Sequence, residues 1–383
     1  MVVEPKVRGF ICVTAHPEGC KESVRRQIEY AKAQEKKESP KKVLIIGSST
    51  GYGLASRISA AYIGGADTLG IMFEKEANGK RTATPGYYNT KAFEEFATKD
   101  GLYAKTINGD AFSVKVKNEA IETIKKDLCK VDMVIYSLAA PRRTMADGTV
   151  YQSVLKTRSS DFIEKSWNVD NDTITKGHIP VATAEETEAT VKVMGGEDWM
   201  DWIDALSKAA DNAITLAYSY IGPELTYPVY FNGTIGMAKK HLYESSVKIN
   251  ETHKDKNIRA YVSVNKALVT QASSAIPVVP LYFAILYKVM KAKNIHEGCI
   301  EQMARLYTEK LFNGEVLTDE TGKIRLDDWE LREDVQKEVM EIWDKVTEEN
   351  IRQVADVEGY WEDFYHMFGF KYDNIDYTKD VEI

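Results

Sequence analysis

Val43-Leu44-Ile45-Ile46-Gly47-Ser48-Ser49-Thr50-Gly51-Tyr52-Gly53 is the stretch that decides the fold. Four apolar residues of strand length run into a GxxxGxG string, and Leu54 to Ile63 continues with helical periodicity. Glycines between a strand and a helix permit a tight turn and close backbone approach. The free N–H groups and positive end of the helix can then hold a pyrophosphate. A glycine string alone is weak evidence, and a glycine-rich turn beside a solvated glutamate is the competing reading. Context favours the first: the next apolar run, Thr68 to Phe73, ends at Glu74, 23 positions beyond Gly51. A carboxylate there accepts hydrogen bonds from adenosine ribose hydroxyls and repels a 2′-phosphate, so NADH is expected in preference to NADPH.

Outward from this unit the alternation continues with a helix at Thr90 to Thr98, a strand at Leu102 to Ile107, a helix at Val116 to Cys129 and a strand at Val131 to Ser137. Strands alternating with helices imply an α/β fold with a doubly wound parallel sheet of the Rossmann type and right-handed crossovers. Asp110-Ala111 and Leu138-Ala139-Ala140 follow two of these strands, where ligands of such sheets bind. Taken alone, Asp110 reads first as a turn residue or helix N-cap; a carboxylate there could also bond the adenine amino group.

Upstream, Lys21 to Lys37 reads as a helix. Between Pro141 and Gly196 the alternation lapses, with polar turns at Ala146 to Gly148 and Asn168 to Asp172, which marks an elaboration that covers something. Helix at Asp198 to Ala209, strand at Ile214 to Tyr220, helix at Gly233 to Ile249, strand at Ala260 to Val264 and helix at Ile276 to Met290 resume the sheet. A hairpin around Asp319 to Lys323 and a charged helix from Asp328 to Lys345 follow. No repeat and no Gly/Ser linker divides the chain. One enlarged domain over 1–383 is expected: a dinucleotide-binding half at 43–140, substrate-covering helices at 141–212, a catalytic half at 213–311, and a C-terminal hairpin and helices at 312–383.

A net charge of -8 and a pI near 5.5 argue against a protein that wraps nucleic acid, which needs a basic surface. Cys12, Cys20, Cys129 and Cys299 lack CxxC spacing and are too sparse for a disulfide scaffold, so reduced thiols in a cytoplasmic protein are expected. Met1 to Phe10 carries Glu4, Lys6 and Arg8 and lacks the apolar run of a secretory signal. Ala275 to Leu286, the most hydrophobic stretch, is too short to span a bilayer and contains Pro277 and Pro280. His16, His178, His241, His253, His296 and His366 are scattered without paired spacing, so no metal site is expected. No GxxxxGK phosphate loop occurs. Trp199 and Trp202, at i and i+3, read as core.

With 21 tyrosines, a catalytic one needs more than residue type. Tyr287 and Lys291 have the Tyr-x3-Lys spacing of short-chain dehydrogenases, but they lie 240 residues after Gly47 in a markedly apolar helix and read as structural. Tyr230 and Lys239 are separated by eight residues, and the asparagine and two glycines between them fit a passage from loop to helix.

Together, GSSTGYG at 47–53, YSLAAPRR at 136–143, GGEDWMDW at 195–202, SYIGPE at 219–224, Tyr-x8-Lys at 230–239 and NKALVTQASSAIP at 265–277 resemble the trans-2-enoyl-CoA reductases and the related FabV-type enoyl-ACP reductases. The match spans nearly the whole chain, and it implies an enlarged short-chain-dehydrogenase-like enzyme that saturates an enoyl thioester with NADH. By resemblance, Tyr230 is the proton donor to the enolate, and Lys239 binds the nicotinamide ribose and supports Tyr230. Gly47, Ser48, Ser49, Thr50, Gly51, Tyr52, Phe73, Glu74, Asp110, Ala111, Leu138, Ala139, Leu268, Val269 and Thr270 match cofactor-binding positions. Tyr220 matches a substrate-contacting tyrosine, and the helix from Ile276 matches a substrate-lining one. The implied partner is an acyl thioester, enoyl-CoA or an acyl carrier protein, and the implied assembly is a monomer or homodimer. Arg142, Arg143 and Lys156 could meet the phosphates of either carrier. A non-catalytic NADH sensor is the alternative of another class, against which the presence of both Tyr230 and Lys239 argues.

Overall fold

The computed structural model describes residues 1–8, 11–270 and 276–383. Gly9, Phe10 and the Gln271 to Ala275 portion of the 265–277 motif lie outside them. Strands β1 (Val7–Arg8) and β2 (Ile11–Cys12) precede helix α1 (Pro17–Lys32). Then come β3 (Lys42–Ile46), α2 (Gly51–Tyr62), β4 (Asp67–Met72), α3 (Pro85–Lys99), β5 (Ala104–Asn108), α4 (Val114–Thr123) and β6 (Val131–Tyr136). Two hairpins follow, β7 (Arg142–Thr144) with β8 (Val150–Gln152) and β9 (Phe162–Asn168) with β10 (Thr173–Ile179). The remainder is α5 (Ala184–Met194), α6 (Glu197–Leu206), β11 (Ala210–Ser219), α7 (Thr234–Thr252), β12 (Arg259–Val264), α8 (Val279–Ala292), α9 (Cys299–Arg305), β13 (Ile324–Arg325), α10 (Glu333–Lys345), α11 (Ile351–Val354) and α12 (Val357–His366).

Among the described residues, seven strands pair in parallel in the order β13-β12-β11-β6-β3-β4-β5. Strand β3 explains why its sequence is continuously apolar rather than alternating. Val43 and Ile45 join the layer under α1, α2, α3 and α9, whereas Leu44 and Ile46 join the opposite layer under α4, α6 and α7. A parallel strand covered on both faces has no polar side to show. The order reverses between β3 and β6, and a crevice at such a switch point is where open α/β sheets receive ligands.

Helix α2 is buried along nearly its whole length, and Arg57 within it is wholly enclosed. Its guanidinium donates to Thr68 Oγ1 at 3.1 Å, Thr106 Oγ1 at 2.7 Å and the Lys105 carbonyl at 2.8 Å. These bonds fasten the helix after the glycine turn to β4 and β5.

The elaboration holds helices α5 and α6 and, besides them, two antiparallel hairpins not foreseen from the sequence. The polar turns read at 146–148 and 168–172 are the hairpin connections. Burial along β9 and β10 mixes exposed, intermediate and buried positions without the strict alternation that marks a strand in sequence. The turn at Asp319 to Lys323 closes through Asp319 N–H to Lys323 O at 2.8 Å, but the chain leaving it pairs in parallel with β12 as the edge strand β13. Helix α8 begins at Val279 rather than Ile276, with Pro280 in its first turn, where a missing N–H costs nothing. Among the described residues no helix is long and apolar enough to cross a membrane.

Candidate active site

The glycine turn satisfies two steric demands. Gly47 has φ +83°, and a Cβ there would lie 2.3 Å from the Ser137 carbonyl oxygen; a Cβ on Gly53 would lie 1.8 Å from the Gly47 carbonyl oxygen. Any side chain would push α2 off β3 and β6. Thr50 is the N-cap of α2 in extended conformation, and its side chain makes no capping bond. The helix therefore offers its first-turn N–H groups to a ligand, as a pyrophosphate cradle requires.

Glu74 stands beside this turn. Ser49 Oγ donates to Glu74 Oε1 at 2.6 Å, and Asn108 brackets the Glu74 backbone, accepting from its N–H and donating to its carbonyl, both at 2.9 Å. The neighbouring Phe73 is 76% exposed, an unusual position for a phenyl ring. Asp110 is a turn residue: its Oδ1 accepts from Phe112 N–H at 3.0 Å, while Ser113 caps α4. Ala111 is buried, and its carbonyl accepts from Trp202 Nε1 at 3.2 Å. Trp199 and Trp202 are fully buried core, as expected. Leu138 is half-buried and Ala139 exposed after β6.

Tyr230 lies in the turns between β11 and α7, and Lys239 on α7, so the chain passes from loop to helix between them. Tyr230 is 7% exposed, and burial, with the Glu330 carboxylate second, pushes its hydroxyl above the usual tyrosine range. Its ring meets that of Tyr220 edge-on, centroids 4.7 Å apart at 88°. Lys239 Nζ donates to the Tyr218 carbonyl at 2.9 Å, and burial pulls its pKa down to about 8. Among the described residues, no hydrogen bond joins Tyr230 to Lys239, and none is made by the Tyr230 hydroxyl.

The loop after β12 approaches the glycine turn from the other side. Tyr52 Oη donates to the Lys266 carbonyl at 2.7 Å, and the Val269 N–H donates to Tyr287 Oη at 3.0 Å. Leu268, Val269 and Ile276 are buried and Thr270 half-buried. Tyr287 is enclosed and Lys291 pairs with Asp356 at 2.6 Å, so that pair is occupied by packing contacts. Arg143, read as available for carrier phosphates, is instead 4% exposed and bonded to Glu197 at 3.0 Å and Asp201 at 3.2 Å. Lys156 pairs with Glu186 at 2.6 Å. Sequence reasoning missed Glu330, Gln302 and Tyr282, which bind these loops from a distance; an acid in an acidic stretch gives no signal.

The reversing parallel sheet and the glycine turn define an α/β protein of the dinucleotide-binding class. Its sequence matches three family models: the NAD(P)H binding domain of trans-2-enoyl-CoA reductase at 2–79, the trans-2-enoyl-CoA reductase catalytic region at 81–312, and an enoyl reductase FAD binding domain at 318–381. It is 51% identical to a trans-2-enoyl-CoA reductase (NADH) of Ruminiclostridium cellulolyticum, over 100% of this chain and 98% of that protein. It is 52% identical to an enoyl-acyl-carrier-protein reductase (NADH) of Flavobacterium psychrophilum, over the same shares. The crystal structure of Clostridium acetobutulicum trans-2-enoyl-CoA reductase in complex with NADH superposes with a TM-score of 0.97 at 47% identity, covering 100% of this chain and 98% of that one. The chain belongs to the trans-2-enoyl-CoA reductase family of NADH-dependent oxidoreductases, and the resemblance read from its motifs holds.

The third family name mentions a flavin. The described part of 318–381 has no glycine turn between a strand and a helix, and Trp343, Tyr360, Phe364, Phe368 and Phe370 fill the core. The segment offers an FAD no pyrophosphate cradle.

Proposed function

We propose that this protein reduces the C2=C3 double bond of a trans-2-enoyl-CoA, crotonyl-CoA or longer, with Tyr230 protonating the enolate. The observation that carries the reading is the Tyr230 hydroxyl, buried beside Tyr220 and bonded to no described residue. Bound NADH supplies a hydride for C3. Negative charge then develops on the thioester oxygen, and Tyr230 meets it with its proton. The Lys239 ammonium binds the nicotinamide ribose and offsets the burial that opposes ionisation of Tyr230. Gly47 to Tyr52, Phe73, Glu74, Asp110, Ala111, Leu138, Ala139 and Leu268 to Thr270 hold the cofactor. Tyr220 and Ile276 contact the acyl thioester.

The reading divides one domain into a cofactor half at 43–140, a cover at 141–212, a catalytic half at 213–311 and a C-terminal segment at 312–383. A cytoplasmic monomer or homodimer fits the four unpaired cysteines. A second reading keeps the chemistry and changes the carrier to acyl carrier protein, as the names of several relatives suggest. Matched CoA and carrier-protein substrates separate the two by rate. The test of the chemistry is loss of NADH absorbance with crotonyl-CoA, near-abolished in Tyr230→Phe. Failure of the purified protein to oxidise NADH with any enoyl thioester sinks the reading.

A further inference from the structure

Glu330 lies in the turn after β13 with its side chain wholly buried. Three donors converge on it. Tyr220 Oη at 3.0 Å and Tyr282 Oη at 2.7 Å meet Oε1, and the Ala267 N–H meets Oε2 at 2.7 Å. An amide can only donate. Tyr282 Oη also accepts from Gln336 Nε2 at 3.2 Å. Both carboxyl oxygens are thus held by protein donors. Burial alone pushes Glu330 toward the neutral acid; the buried Lys266 ammonium, bonded to the Ala267 carbonyl at 2.8 Å, opposes that push.

The groups facing Glu330 come from four places: Tyr220 and Tyr230 at and after the end of β11, Lys266 after β12, Tyr282 on α8, and Asp327 in its own turn, where it is tied to Arg325 at 2.7 Å. Tyr220 donates its one proton to Glu330 and has only lone pairs left for a ligand. Of the two tyrosines in edge-on contact, Tyr230 alone keeps an uncommitted proton.

We propose that Glu330 is a positioning residue for the reduction, holding Tyr220 edge-on against Tyr230 and clamping Ala267 at the root of the loop that leads to Leu268. The proposal rests on Tyr230 as proton donor. It gives the C-terminal segment a part in the reaction: Glu330 fixes which tyrosine can give a proton.

The test compares wild type, Glu330→Gln, Glu330→Asp and Tyr220→Phe by NADH oxidation with crotonyl-CoA across pH. Glu330→Gln weakens the acceptor that holds Tyr220 and the Ala267 N–H, so kcat should fall about ten-fold or more. Glu330→Asp keeps the carboxyl but withdraws it from Tyr220, so kcat should fall here too; this variant decides the matter if Glu330→Gln does not fold. Glu330→Gln combined with Tyr220→Phe should lose little more than Tyr220→Phe alone. Wild-type kcat in both Glu330 variants, or effects that simply multiply in the double variant, would overturn the proposal while leaving the reductase intact. A wild type without turnover removes the underlying reading instead.

Discussion

Tyr52, in the glycine turn, donates its hydroxyl proton to the carbonyl of Lys266, 214 residues further along the chain, at 2.7 Å. Gln302 Nε2 donates to the same hydroxyl at 2.8 Å. The two loops proposed to hold opposite parts of the cofactor are thus locked to each other before it arrives. Tyr52→Phe leaves the buried Lys266 carbonyl and Gln302 amide without that partner. NADH binding, followed by nicotinamide fluorescence, should weaken about three- to ten-fold, the worth of one such bond, with little change in fold.

Tyr230→Phe keeps the ring packed against Tyr220 and removes only the proton. Turnover of crotonyl-CoA should fall by about 10² to 10⁴, the contribution of a placed general acid, while the NADH dissociation constant stays near that of wild type. Retention of activity would move the proton donor elsewhere.

Lys239 has its pKa drawn by burial from 10.5 to about 8. The cation proposed to bind the ribose is present below that value and lost as pH rises through it, so cofactor affinity should fall there. Stability has the opposite sign: between the two values the unfolded chain binds the extra proton, so the cost of burying the charge is full below about pH 8 and fades above it. Lys239→Met should therefore abolish most activity yet gain stability over wild type, by more at neutral pH than at about pH 9. Urea unfolding of both proteins at the two pH values checks it.

Glu74→Gln removes the charge proposed to repel a 2′-phosphate while keeping an acceptor for Ser49. The ratio of kcat/KM for NADPH to that for NADH should rise about ten-fold or more, since a like-charge contact costs several kcal/mol. An unchanged ratio would place the discrimination elsewhere.

Arg57→Met fills similar volume but strands the buried Thr68 hydroxyl and takes the partner from the part-buried Thr106 hydroxyl and Lys105 carbonyl. Thermal or urea unfolding should show a loss of about 2 to 4 kcal/mol. Activity of the folded fraction should persist, because the side chain lies under the sheet rather than at the crevice.

The chain itself determined the parallel sheet, the glycine turn, the passage from loop to helix at Tyr230 to Lys239, and the family. Each depends on residues close in sequence, where strand length, helical period and glycine spacing are direct consequences of backbone sterics. The motif match extended that reading over the whole length. What only the tertiary structure decided is how distant pieces meet: that 141–196 is two hairpins, that Arg143 is buried among acids, and that Arg57 fastens α2 to β4 and β5. The same holds for Glu330, which reaches Tyr220 from 110 residues away and Ala267 from 63. A buried carboxylate is defined by the donors that surround it, and those come from loops whose proximity no local pattern encodes.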